Sequence, residues 1–395
     1  MNDAHSALPK ALFHPRDEFY GTLRSDAPLK IVIVPHSHCD PGWLRTYEQY
    51  QETVVNNVLN SMLTFMQNHT DMTFQFSEIS FVQPWWATLS DEQKRAVKSL
   101  VHQGRLEFTY SAWTMTDEAS VHYWATIDNF IEGHQFLSEI IDRNYTTRTG
   151  WSIDPFGYGP TVAYFLSKMN IRNHVISRVP RATKLRMFKQ RMMPFYWQQY
   201  FDTPGQNGVL THVLPDFAYT VPYTCGFDPT VCCQFDFKRI LDGDAHYCPG
   251  GDGPQLITHE NVHERASTIL RQWRSLAAAY ETHNVVLAVL GDDFRYTKLD
   301  EWRLQYDNWR AIIRHINANT AKFNAEVSFG TLSQYFNLLR ERMPPNHKYP
   351  TVAGDFFPYT EHGGDYWTGY FTSRPFYKRR ERQLLVSVND GIGGG

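Results

Sequence analysis

Lys30 to Pro35 is an almost unbroken apolar run, and it is followed by Val54, Val55, Val58, Leu59, Met62, Leu63 and Met66 at helical spacing. That order predicts a buried strand and then a helix. The pattern recurs. Met72 to Ser77 predicts a second strand, Asp91 to His102 a helix, Leu106 to Ser111 a third strand and Tyr123 to Ile141 a long helix. Further short strands are predicted to end at Ile153, Ser177, Leu214 and Leu290, with another at Phe329. Strands alternating with helices predict an α/β fold, a parallel sheet covered by helices and either closed as a barrel or doubly wound. In both arrangements the active site lies at the carboxyl ends of the strands.

The residues that follow each predicted strand are therefore informative. In chain order they are His36, His38 and Asp40, then Glu78, then Trp113 and Asp117, then Asp154, Arg178, Tyr219, and the pair Asp292–Asp293. Turn-forming acids commonly follow strands. That habit accounts for one or two of these carboxylates, but less readily for a His-x-Asp, an Arg and two further acidic sites together.

Composition narrows the chemistry. The 395 residues carry 38 basic and 41 acidic side chains, a net charge of −3, so no electrostatic case exists for nucleic acid or an anionic membrane surface. No run of about 18 apolar residues reads as a membrane segment, and Met1 to Lys30 lacks the apolar stretch of a secretory signal. Aromatic residues make up 15% of the chain, with eleven Trp, which suits sugar- or base-stacking surfaces or a large aromatic core. Four of the five cysteines, Cys225, Cys232, Cys233 and Cys248, fall in one window without zinc-ribbon spacing, which reads as a disulfide-bonded loop. The sequons Asn68-His69-Thr70 and Asn144-Tyr145-Thr146 agree with an oxidising, luminal setting.

Three constellations carry candidate chemistry. His38 and Asp40 leave a buried strand two residues apart and are closed by Pro41 and Gly42, so both can turn toward one point; they are either zinc-type ligands or the caps of a turn. Asp154 opens a Pro- and Gly-rich turn, Asp154-Pro155-Phe156-Gly157, that is either structural or a close approach to substrate. Asp292 and Asp293 are adjacent, and mutual repulsion in a cleft would raise one of them into the range of a general acid; otherwise they cap or are solvated. Asp154 and Asp293 at separate strand ends are the two carboxyl groups that glycoside hydrolysis requires. Arg178 could hold a hydroxyl or orient a carboxylate, and Trp43, Phe156, Tyr219 and Trp367 are either core residues or the walls of a sugar pocket.

The segments HSHCDPGW, IDPFGYGP, LGDDFRY, CGFDPTVCCQFDFKR and DYWTGYFTSRP occur in this order between Leu29 and Arg382. Together they resemble the amino-terminal catalytic domain of glycoside hydrolase family 38, in particular its animal Golgi members. The resemblance implies a seven-stranded parallel β/α barrel-like domain over residues 29–382, with residues 1–28 as an extension and 383–395 as an atypical tail. It also implies a retaining α-mannosidase acting on mannose-containing N-glycans in the Golgi lumen, with one Zn2+. By position, His38, Asp40 and Asp154 correspond to zinc ligands, Asp154 also to the nucleophile and Asp293 to the general acid/base. Trp43, Phe156, Arg178, Tyr219, Asp292 and Trp367 correspond to substrate-binding residues. The implied disulfides are Cys225–Cys232 and Cys233–Cys248.

The chain departs from the family in three ways. Cys39 stands where Asn is usual and is expected to point away from the two ligands. Thr220 replaces a usual acid. The downstream His-His-Asp-Gly motif that supplies a fourth zinc ligand is absent, as are the later helical and β-rich regions and a targeting segment. A truncated, catalytically silent homologue is therefore the rival expectation, and homodimerisation is expected only of a full-length form. A polysaccharide deacetylase-like metal hydrolase is a third reading, disfavoured by the Asp154 and Asp293 pair.

Overall fold

The computed structural model describes residues 27–202, 208–243, 248 and 250–392. Most of the expected 1–28 extension and the last three tail residues lie outside them. The strands are β1 (Leu29–His38), β2 (Phe74–Phe76), β3 (Leu106–Phe108), β4 (Thr149–Ser152), β5 (Asn173–Ile176), β6 (Phe195–Trp197), β7 (Val209–Val213), β8 (Val285–Asp293), β9 (Ala325–Phe329) and β10 (Thr351–Val352). Helices separate most of them, as the alternating pattern predicts.

β1 is buried along nearly its whole length, which explains its continuous rather than alternating apolar sequence. One edge pairs in parallel with β8, from Lys30 opposite Val285 to His38 opposite Asp293. Its other edge pairs with β9 over Leu29 to Ile33 and then, at His36, with β2. β8 comes so close that a Cβ on Gly291 would sit 2.1 Å from the carbonyl oxygen of His36, and only glycine fits there.

The helix predicted from Asp91 to His102 has those bounds, and Ser90 and Gln93 form a reciprocal capping box at its start. Ahead of helix Asn56–Asn68, the chain passes through a π-helical turn at Gln51–Val55, and Val58, Leu59, Met62, Leu63 and Met66 are buried. Helix Ile79–Thr88 was not visible in the pattern: it contains Pro84 and is apolar on most sides.

The strands form two five-stranded sheets, not a closed seven-stranded barrel. The first has order β3-β2-β1-β8 with β9 beside β1; the second has order β10-β6-β7-β5-β4. β7 lies between β5 and an antiparallel β6, so no ladder edge of β7 remains to receive β8. Hydroxyls serve that seam: Tyr280 donates to Val213 O (2.6 Å) and Thr224 to Val289 O (3.2 Å). At the other seam, Tyr110 N–H, just past β3, donates to Thr149 O in β4 (2.8 Å). No described helix is long and apolar enough to cross a membrane.

Candidate active site

At the carboxyl ends of the strands, His38 ends β1 and Asp40 follows it in the turn. His38 Nε2 lies 3.2 Å from Asp40 Oδ1 and 3.4 Å from Asp154 Oδ2, and one ligand atom from each of these residues lies within 4.8 Å of the others. Ligands about 2.0–2.2 Å from a tetrahedral ion are separated by roughly 3.3–3.6 Å, so the two nitrogen–oxygen distances suit a shared zinc-type cation. Behind the imidazole, His38 Nδ1 lies 3.5 Å from Oε1 of Glu78, which is buried; neither atom has a hydrogen-bond partner among the described residues. A carboxylate behind a ligating imidazole fixes its tautomer and strengthens it as a donor. The donor set therefore fits a divalent metal.

The charge environment agrees. Burial alone would depress His38, but Tyr219 and the carboxylates of Asp154, Asp40 and Glu78 override it and hold the imidazole well above its usual range. That field is one a proton or a divalent cation neutralises. His36 is a different case: fully buried and pushed down to about 3 by that burial and then by His38, it packs edge-on to Trp151 at 5.1 Å. It is a neutral core histidine.

Asp154 is supplied by the turn after β4. Gly157 has φ +97°, and a Cβ there would meet Phe357 at 2.5 Å, so this turn requires glycine. Tyr158 links the ends of two strands: its hydroxyl donates to Ser152 O (2.7 Å) and accepts from the N–H groups of Ser177 (2.9 Å) and Arg178 (3.0 Å). Arg178 then reaches Asp154 Oδ1 through Nε (2.7 Å) and Nη2 (2.6 Å), while Nη1 donates to Glu361 (3.1 Å). Its guanidinium is ringed by Trp367, Phe156, Tyr219 and Tyr359, with centroids 4.9–5.9 Å away. Burial would raise the Asp154 carboxyl, but His38 and Arg178 outweigh it and hold the group below its ordinary value. Asp154 is a stable carboxylate.

Asp293, opposite His38 on β8, has the opposite bias. Burial raises it, His38 and the Tyr219 hydroxyl (2.6 Å) oppose the rise, and the Asp154 and Asp40 charges reinforce it. Asp292 is pushed up to about 6, chiefly by burial and against the pull of Arg295; its Oδ1 accepts the Asp293 N–H (2.8 Å). Repulsion within the pair, the cause expected from sequence, is secondary to burial.

His38, Asp40, Asp154, Phe156 and Glu78 line a cavity of about 250 Å³, closed on another side by Asp117 and Tyr370. Arg178, Tyr219, Asp293 and Trp367 pack directly behind or beside it through the contacts above. Trp43 does not join the lining; it stands 62% exposed on the following loop. Asp292 also lies outside the lining and faces Arg295. Cys39 is buried with Sγ 3.5 Å from Ser37 Oγ, on the face away from the ligands. Cys225 pairs with Cys232 and Cys233 with Cys248, with Cα separations of 5.5 and 5.6 Å.

Comparison with known proteins gives a consistent set of relatives. The family profile for the glycosyl hydrolases family 38 N-terminal domain matches residues 28–362. The chain is 42% identical over 360 residues to "Alpha-mannosidase 2" of Homo sapiens, covering 90% of this chain and 31% of that protein. It is 38% identical over 372 residues to "Alpha-mannosidase 2" of Drosophila melanogaster, covering 93% and 33%. The chain thus spans about a third of the length of these relatives. Among solved structures, an alpha-mannosidase from Enterococcus faecalis V583 superposes with a TM-score of 0.56 at 16% identity, over 83% of this chain and 31% of that one, a likeness of fold.

Proposed function

The chain belongs to glycoside hydrolase family 38, and from that premise we propose that it carries the centre of a zinc-dependent, retaining α-mannosidase trimming terminal α-mannose from N-glycans. One observation carries the reading. Asp154 and Asp293 come from different strands to the same imidazole, with Asp154 held low and Asp293 raised. Two carboxyl groups biased apart are what an ionised nucleophile and a protonated acid require.

The Asp154 carboxylate attacks the anomeric carbon while the glycosidic C–O bond breaks and the departing oxygen takes the proton of Asp293. A mannosyl ester on Asp154 results. Water then attacks the same carbon, gives a proton to Asp293 and releases Asp154, so two inversions retain configuration. A zinc ion held by His38, Asp40 and Asp154 would supply Lewis-acid contact to sugar hydroxyls. Arg178 orients Asp154, and Phe156, Tyr219 and Trp367 offer apolar faces to the sugar, with Trp43 approaching from the rim and Asp292 supporting Asp293.

The same reading takes β8, β1, β2, β3, β4, β5 and β7 as the staves of an incompletely closed barrel, supported by their parallel pairings and the Tyr110–Thr149 bond. The two disulfides, together with the resemblance of the sequence motifs to Golgi members of the family, support a luminal setting.

The test is to incubate the zinc-loaded chain with an aryl α-mannoside beside an Asp154→Ala variant, and to follow the first-formed anomer by NMR. α-Mannose released only by the parent is expected. Equal rates for both proteins, or β-mannose as first product, would sink the proposal. Mannose loss from a mannose-terminated N-glycan, followed by mass spectrometry, tests the substrate class.

A further inference from the structure

The structure distinguishes two sequons that the catalytic reading leaves unused. We propose that Asn144 carries an N-linked glycan, an inference that rests on the luminal setting above.

Asn144-Tyr145-Thr146 lies in the turn between helix Tyr123–Ile140 and β4. Its neighbours fix that turn. Asp142 Oδ1 accepts the Asn144 N–H (2.8 Å), the Asp142 carbonyl accepts the Tyr145 N–H (3.0 Å), and the Tyr145 hydroxyl donates to Phe108 O (3.3 Å). Asn144 and Thr146 are left exposed, and the Asn144 side-chain amide makes no hydrogen bond among the described residues. Beside it is a cavity of about 380 Å³, lined by His102, Asp142, Asn144, Tyr145 and Arg148 among others. That volume is within the range of small-ligand sites and gives a first sugar ring room to settle.

The second sequon is also exposed at Asn68 and Thr70, but its asparagine side chain already has a partner. Asn68 is the last residue of helix Asn56–Asn68, its Nδ2 donates to Thr64 O (2.9 Å), and His69 stacks on Phe65 at 3.8 Å. Attachment at Asn144 breaks nothing. Nδ2 bonds to C1 of the sugar and loses a proton as the pyrophosphate of a lipid-linked oligosaccharide donor departs. Asn144 precedes β4 whereas Asp154 follows it, so the glycan leaves from the opposite end of the sheet to the catalytic cavity.

The test is to secrete the full chain from insect cells behind a cleavable signal, treat it with peptide N-glycosidase in 18O-water, and read mobility and tryptic masses. The expected result is 18O-labelled Asp at position 144, with one glycan's mobility shift lost in N144Q and T146A and kept in T146S. An unmodified Asn144 peptide from the secreted protein, or an N144Q variant that keeps the full shift, overturns the proposal. Aryl α-mannosidase activity is measured in the same preparation. An inactive but glycosylated chain refutes the catalytic reading and leaves this site standing, whereas an active chain bare at Asn144 does the reverse. N144Q is expected to keep parental kcat/KM.

Discussion

Replacing Arg178 with methionine keeps most of the side chain's length and removes the charge that holds Asp154. The guanidinium places two N–H groups on one carboxylate oxygen, Nε at 2.7 Å and Nη2 at 2.6 Å. A hydrogen bond to a charged group contributes about 1.5–3 kcal/mol, and two sharing one acceptor do not add fully. A loss of about 2–4 kcal/mol follows, or roughly 30- to 1,000-fold in kcat/KM at about 1.36 kcal/mol per decade. The direction with pH is also fixed. Burial pushes Asp154 up and Arg178 helps His38 hold it down, so the variant's carboxylate forms at higher pH and the acid limb of kcat/KM moves toward neutral. Glu361→Gln keeps an acceptor for Nη1 and is expected to cost less than about tenfold. The assay is the pH profile of aryl α-mannoside hydrolysis, with metal content and melting measured alongside. A variant with intact metal, kcat/KM within about threefold of the parent and an unmoved acid limb would refute the orienting role.

His38→Ala is expected to reduce bound zinc from about one ion per chain to under about 0.1 by elemental analysis, and Glu78→Gln to weaken metal affinity about 10- to 100-fold. Parental zinc content in both would remove the case for this centre. Asp293→Asn should lower kcat about 10²- to 10⁴-fold on methylumbelliferyl α-mannoside and far less on a dinitrophenyl leaving group that needs no proton; equal losses on both would contradict a general acid. In metal-free protein, Asp292 titrates at about 6 when folded against 3.8 ordinarily, so the folded state keeps a proton the unfolded chain releases. Its contribution to stability is fully present below about pH 4 and falls by up to about 3 kcal/mol as pH rises through 6, and Asp292→Asn should remove that component from the pH dependence of denaturant melts. An unchanged slope would show that Asp292 does not titrate there.

The site was legible where an apolar run ends in a polar residue, because a strand's carboxyl end is where such folds place chemistry. His38, Asp40, Asp154, Arg178 and Asp293 all follow this rule. Glu78 was visible as a strand-end acid, but its role behind His38 depends on a contact between neighbouring strands that no local spacing encodes. Glu361 is harder still, since it lies in irregular chain 183 residues from the arginine it meets. Tyr158 looks like an ordinary core aromatic until its hydroxyl is seen bridging two strand ends. The opening between β7 and β8 turns on β6, which takes the edge of β7 and, like β10 beside it, is too short at three residues (β10 has two) to show a period. Helix Ile79–Thr88 hid for the converse reason: buried on several faces and carrying a proline, it has no polar stripe to set its period.

What brings His38 and Asp293 together is strand register. β1 and β8 are the two most continuously apolar segments, and their parallel pairing places Ser37 opposite Asp292 and His38 opposite Asp293. Residues opposite one another project to the same face, so His38 and Asp293 share one side of the sheet while Cys39 turns away with Ser37. Phe294 N–H donates to His38 O (2.7 Å) just beyond, fixing that alignment at the end where it matters. A slip of one residue would exchange Asp293 for Asp292 or Phe294 opposite the imidazole. Gly291 blocks that slip, because any residue with a Cβ at this position would collide with the His36 backbone. The glycine before the acid pair is thus as much a part of the site's construction as the acids themselves.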